Sequence, residues 1–135
     1  MASPFELKII TPEKTFFSGE TTQITVRTSG GDIGILAHHT SLVAALPAGP
    51  LKVRQEDGTF RAAAVSGGLL KVGGNKATIL ANAVEWADEI DLDHAKRSAE
   101  DARRRLEAQE SRESMDRAEA KLKRALNSIN VSSMQ

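Results

Sequence analysis

The sequence predicts an α+β protein in two segments: an N-terminal antiparallel β-sandwich of about ten strands over residues 1–88, then a C-terminal antiparallel two-helix hairpin over residues 89–135. Three observations carry this. The apolar period changes inside residues 83–94, from the alternation of a strand to the three-four spacing of a helix. All 10 glycines and all 4 prolines lie before that change. Short alternating segments separated by Gly-Gly or Asp-Gly fill the first part, which is how a sandwich or barrel reads.

Phe5, Leu7 and Ile9 alternate with Glu6 and Lys8 until Thr11-Pro12 ends the run, since proline cannot donate to a ladder. Ile24 and Val26 mark the next clear strand. A turn at residues 29–32 feeds Ile33 and Ile35, and Leu51 and Val53 alternate before the turn at Glu56, Asp57 and Gly58. Phe60, Ala62 and Ala64 return on the other side of that turn. Gly67-Gly68 leads into Leu70 and Val72, Gly73, Gly74 and Asn75 turn the chain, and Ala77, Ile79 and Ala81 follow. No repeat of 20 to 50 residues is present.

Downstream, Leu92, Ala95, Ala99, Ala102 and Leu106 form one helical stripe, in a helix expected from Leu92 to about Gln109. Asp91 is placed to cap it, with Asp88 and Glu89 adding negative charge near its start. Met115, Ala118, Leu122, Ala125 and Ile129 form a second stripe. Residues 110–114 between them are polar, with Ser111 or Ser114 as the cap of the second helix. Alanine fills five of these ten stripe positions, and each buries little more than a methyl, so the predicted hairpin is thinly held. Trp86, the only tryptophan, lies at the junction of the two segments.

Lys plus Arg and Asp plus Glu both number 18, so no global field draws the chain to nucleic acid or to an acidic membrane. There is no cysteine, hence no disulfide framework and no thiolate metal site. The first residues carry neither the basic region nor the apolar core of a signal peptide, and no apolar run approaches the roughly 20 residues of a membrane span. The expectation is a chain that works where it is made and meets a membrane only through partners.

The least ordinary piece is residues 30–50. Gly31-Asp32-Ile33-Gly34-Ile35-Leu36 leads into Ala37, His38, His39 and Thr40, then Leu42 to Leu46, then Pro47-Ala48-Gly49-Pro50. On its own this reads as strand, polar loop, short apolar strand and corner. It resembles the amino-terminal signature of the epsilon subunit family of bacterial F-type ATP synthases, where Gly-x-x-Gly-Ile-Leu precedes a His loop and a Leu-rich strand. Ala37 and Ser41 stand where that family most often carries prolines, yet the order of elements is kept. The likeness continues through Ser66-Gly67-Gly68 into the helical tail.

The resemblance implies a non-catalytic rotor subunit of the central stalk, coupling ion translocation to ATP synthesis and regulating ATP hydrolysis through a mobile helical domain. Its partners would be the gamma subunit and the c-subunit ring, and the alpha/beta catalytic head when the arm is extended. It would sit peripherally on the cytoplasmic face of the cell membrane. The segment from Ala37 to Leu46, with His38, His39 and Leu42, would lie nearest the ring. In the extended state Arg104, Arg117, Lys123 and Arg124 would meet acidic segments of the head, although their interleaving with Glu100, Asp101, Glu107, Asp116 and Glu119 also reads as an ordinary solvated helix surface.

Some members of this family bind ATP in the folded hairpin through a motif resembling Ile/Leu-Asp-x-x-Arg-Ala. Ile90, Asp91 and Ala95 match it, and Glu85 stands where that site has a further carboxylate. His94 replaces the arginine, removing a permanent charge and a bidentate fork. Asp101 stands where a second arginine is common, while Arg124 remains available, so the implied ATP binding is weak. Asp91 is equally explained as a helix cap alone.

No cofactor or metal is otherwise expected. His38 and His39 are neighbours whose side chains would diverge on a strand, with no carboxylate cluster beside them. Ser41, His39 and Asp32 lack a nucleophile elbow, and no Gly-rich turn continues into Gly-Lys-Ser/Thr, so nothing in the sequence is catalytic. A second reading from a different class is a free-standing nucleotide-sensing module.

Overall fold

The computed structural model describes residues 3–107 and 112–134. In chain order the strands are β1 Phe5–Ile10, β2 Thr15–Thr21, β3 Gln23–Thr28, β4 Gly31–Leu36, β5 Leu42–Arg54, β6 Phe60–Gly73, β7 Lys76–Ala81 and β8 Val84–Trp86. A 3₁₀ turn at Ala87–Glu89 follows, then α1 Leu92–Glu107 and α2 Arg112–Ser132.

The described residues form eight strands rather than about ten, because β5 and β6 each serve twice. The 13-residue β5 and 14-residue β6 pair along nearly their whole length, from Leu42 opposite Val72 to Arg54 opposite Phe60. Their first and second halves lie in different layers. One layer runs β2-β1-β7, then the end of β6 and the start of β5; the other runs β8, the start of β6, the end of β5, then β3 and β4. The expected Pro-Gly-Pro corner is thus inside β5, at the point where the ribbon passes between layers. A second correction concerns direction: β1 pairs with β7 in parallel, Glu6 opposite Lys76 through Ile10 opposite Leu80.

The alternation read from sequence places Leu7, Ile9, Ile24, Val26, Ile35, Leu51, Leu70 and Ile79 between the layers, all essentially without solvent contact. Two strands escaped that reading. In β2 the consecutive Phe16 and Phe17 break the alternation, and both rings lie against Trp86, at 5.1 and 6.0 Å between centroids. The three-residue β8 carries Trp86, 8% exposed, into the core. Trp86 therefore belongs to the sandwich.

The start of β6 is covered on both sides. Phe60 is exposed, Ala63 and Val65 face the core, and Ala62 and Ala64 are buried on the opposite side. What covers them is α2: Val131 and the half-buried Ile90 complete a small cluster with Ala62, Ala64 and Ala87. Asn127 adds hydrogen bonds from Nδ2 to the carbonyls of Gly49 (3.2 Å) and Val65 (3.3 Å). Within the hairpin the buried stripe residues are Ala95, Ala99, Ala102, Ala118 and Ala125, whereas Leu92 is exposed. Asp91 caps α1 by accepting from the His94 N–H at 3.0 Å. Arg112, Glu113 and Ser114 belong to α2 and not to a connection. Gln109, Glu110 and Ser111 lie outside the described residues.

Gly68 shows how closely β6 and β7 approach. A Cβ there would sit 2.0 Å from the Leu80 carbonyl oxygen and 2.8 Å from the Ala81 Cα, both backbone atoms that cannot move without parting the strands. Gly68→Ala is expected to cost about 3 kcal/mol or more in urea unfolding. A loss under about 1 kcal/mol would contradict this packing.

Candidate functional site: a cleft between sandwich and hairpin

The hairpin covers one layer without sealing its border, and a cleft of about 560 Å³ remains between them. The sheet side supplies Ser66, Asn82, Ala83 and Glu85; the junction supplies Ile90 and Asp91; α1 supplies His94, Ala95 and Ser98; α2 supplies Lys121, Arg124, Ala125 and Ser128. Helical spacing explains the groupings, since residues three, four or seven apart share a face. The cleft brings together all six residues singled out by motif: Glu85, Ile90, Asp91, His94, Ala95 and Arg124. Its size lies in the ordinary range for small-ligand sites.

The charges are mixed. Arg124 has no ion pair among the described residues. Lys121 lines the cleft but reaches across the hairpin to Asp101, Nζ to Oδ2 at 2.5 Å, and Asp101 also has Arg105 at 3.4 Å. Asp101 thus ties the two helices together, a role its sequence position did not reveal. Asp91 both caps α1 and lines the cleft, so the two explanations offered for it are compatible. Sequence reasoning missed Lys121 and the hydroxyls of Ser66, Ser98 and Ser128. The seven-residue step from Lys121 to Ser128, through Arg124, was the available signal for the α2 side.

Arg104, Arg117, Lys123 and Arg124 are all exposed, and Lys123 pairs with Glu119 one turn away at 3.5 Å. At the far end of the sandwich, His38 and His39 lie in an exposed turn and not on a strand. Asn75 holds that turn, accepting from the His38 N–H at 2.9 Å and donating to the Pro4 carbonyl at 3.3 Å. Leu42, expected in the loop, belongs to β5 and packs on the core, while Val43 beside it is 69% exposed. Among the described residues no group of three His, Cys, Asp or Glu side chains could hold a metal ion.

A second surface emerges only from strand register. Ala45, Leu69, Leu80 and Ile10 stand side by side across β5, β6, β7 and β1. All four point away from the core, and Leu69 and Leu80 are nearly half exposed. This apolar row lies on the outer face of the layer that the hairpin does not cover.

Residues 4–87 match the family model described as ATP synthase, Delta/Epsilon chain, beta-sandwich domain, and residues 88–133 match the one described as ATP synthase, Delta/Epsilon chain, long alpha-helix domain. The chain is 44% identical over 128 residues to the ATP synthase epsilon chain of Ruminococcus albus, covering 94% of this chain and 95% of that one. It is 43% identical over 127 residues to the ATP synthase epsilon chain of Caldicellulosiruptor bescii, at 94% and 92% coverage. The fold is similar to a chain in the cryo-EM structure of the Euglena gracilis mitochondrial ATP synthase OSCP/F1/c-ring, with a TM-score of 0.81, 23% identity, and coverage of 96% of this chain and 80% of that chain.

Asp101 yields a test of the hairpin. The hydrogen bond from Lys121, chiefly, holds its carboxyl below the usual range, against some burial and with help from the charges of Arg105, Lys121 and Arg104. A carboxyl whose folded value is depressed contributes stability above its unfolded value, near ~3.9, and that stability is lost as pH falls through the folded value. Helical circular dichroism should therefore weaken below about pH 4 in the wild type, and this acid-sensitive step should shrink in Asp101→Asn.

Proposed function

The chain belongs to the ATP synthase epsilon family, and on that premise we propose how it works as a central-stalk subunit: the sandwich grips the shaft and the helical hairpin serves as a regulatory arm. It is the epsilon subunit, a non-catalytic component of F-type ATP synthase. Relatives of nearly equal length carrying the same name leave the free-standing sensor disfavoured.

The observation that carries the grip is the apolar row Ile10, Leu80, Leu69 and Ala45. Four outward apolar residues in one cross-strand row, on a face left bare by the hairpin, suit a partner's apolar side chains better than water. The gamma subunit is that partner, and the His38–His39 end of the sandwich faces the c-subunit ring. The protein is peripheral on the cytoplasmic face of the membrane. No helix among the described residues is long and apolar enough to cross a membrane, so contact with the bilayer would run through the complex.

The arm reading rests on how little holds the hairpin down: alanines within it, and a five-residue cluster plus Asn127 beneath it. Two states close in energy are what such a seam permits. Extended, the arm presents Arg104, Arg117, Lys123 and Arg124 to acidic segments of the alpha/beta head and slows hydrolysis. Compact, it encloses the cleft, and a specific observation favours weak ATP binding there. The six motif residues share one cavity, among them Arg124, whose guanidinium has no ion pair among the described residues, while His94 supplies no permanent charge where the motif has arginine.

Leu69→Asp or Leu80→Asp should weaken capture of gamma by about tenfold or more, since each places a charge in a dry contact. Truncation after Asp88 should leave capture intact and raise ATP hydrolysis of the assembled complex. Capture lost on truncation, or unchanged in both aspartate variants, would count against the assignment. In calorimetry with ATP, His94→Arg should tighten binding by about tenfold through a charge-assisted bond, and Arg124→Ala should abolish it. No heat from His94→Arg would remove ATP from the reading.

A further inference from the structure

The outer apolar row does not stand alone on its face. Two residues along each strand, the register lines up Ser18, Lys8, Thr78, Lys71 and Val43 across β2, β1, β7, β6 and β5. Side chains two apart share a face, so this second row points outward beside the apolar one, about 7 Å away. Lys8 and Lys71 stand two strands apart within it, about 10 Å, with Thr78 between them. Lys71 is exposed and Lys8 half-buried, and neither forms an ion pair among the described residues.

Lysine commonly guards an edge strand, yet β1 and β6 are interior strands with a partner on each side. The carboxylates of this face, Glu6 and Glu20, lie one row farther out with Lys76, around a groove of about 270 Å³ at the β2 border that does not include Lys71. On its other side the apolar row meets a groove lined by Ile10, Thr11, Pro12, Leu80, Ala81 and Asn82, none of them charged. Gly67 and Pro47 continue that side along β6 and β5. The face is therefore apolar in its middle, basic along one border and uncharged along the other.

We propose that Lys8 and Lys71 are the charge-reading border of the contact with gamma, and that the part of gamma seated on the apolar row carries carboxylates along that border only. This rests on the reading that the bare face takes gamma, and adds to it the chemistry recognised and the orientation in which it is recognised. A partner seated the other way round would lay its carboxylates over Asn82 and Gly67 and cover both ammonium groups with apolar surface. Each would lose water without gaining a counter-charge, so that pose is excluded. Matched charge at a rim sets encounter rate and orientation more than it sets affinity. An anionic membrane also combines apolar and acidic chemistry, but an apolar strip one residue wide, with Glu6 and Glu20 close by, suits a protein ridge better than a bilayer.

The test measures association of gamma with the full chain at rising salt, beside flotation with phosphatidylglycerol vesicles. Lys71→Glu should slow association and weaken capture by about tenfold at low salt, and Lys8→Gln combined with Lys71→Gln should flatten the salt dependence. Lys76→Gln, outside the row, should change both less. These side chains point outward, so the unfolding transitions should match the wild type. A carbodiimide activates a carboxyl, an amine attacks it, and a urea leaves as the amide forms; Lys8 and Lys71 should be joined in this way to Asp or Glu of gamma. Capture weakened in Leu69→Asp, but with rate and salt dependence unchanged in the lysine variants, overturns the basic border and leaves the gamma contact standing. Capture unchanged in Leu69→Asp overturns the gamma contact and the border with it. Vesicle binding that disappears in Lys71→Glu, with gamma capture unaffected, gives the lysines to lipid and overturns the proposal.

Discussion

Everything in this structure hangs on the β5–β6 ribbon. Its paired strands run from one layer into the other, β7 and β8 add to β6, and β3 adds to β5, so a single ladder sets the register of both halves of the core. Side chains alternate with period two, and a slip of one residue would send Leu70 and Val72 outward and Leu69 and Lys71 inward. The same register writes both outer faces. Leu69 stands in the outer apolar row of one layer, and Ala62 and Ala64 form the landing strip for α2 on the other.

The hairpin follows a different logic. Its interior is alanine, so close approach of the helices replaces large apolar area, and polar contacts gain weight by default. Asp101 with Lys121 ties helix to helix, and Asn127 ties α2 to the sheet. A core of leucines in the same place would have held the two helices farther apart, by apolar area instead of by close approach.

Much of this was legible in the residues. The period change at residues 83–94 announces the two segments, Phe5, Leu7 and Ile9 announce an inward face, and Asp91 announces a cap. Local pattern failed where tertiary contact overrode it. Proline and glycine at residues 47–50 look like a corner, yet they sit inside β5 because the ribbon bends there between layers. The run Ala62, Ala63, Ala64 and Val65 is apolar at four consecutive positions, the pattern of a strand covered on both sides, yet what covers the outer side is α2, some sixty residues later. Phe16 and Phe17 hid β2 because they meet a tryptophan some seventy residues away. The six cleft residues were found by motif alone, whereas Lys121 needed the fold, since its partner Asp101 lies on the other helix.

The parallel pairing of β1 with β7 has a consequence for how the chain is made. Glu6 leaves the ribosome early, and its neighbour Lys76 follows 70 residues later, so the first strand waits, unpaired on that side, until most of the nascent chain has emerged. Closing so long a loop is slow and leaves an apolar edge open meanwhile. The helices, whose contacts are mostly with each other, form last in sequence and fastest in time. Synthesis therefore delivers a nearly complete sandwich, its outer apolar row included, before the helices that dock on the other layer exist.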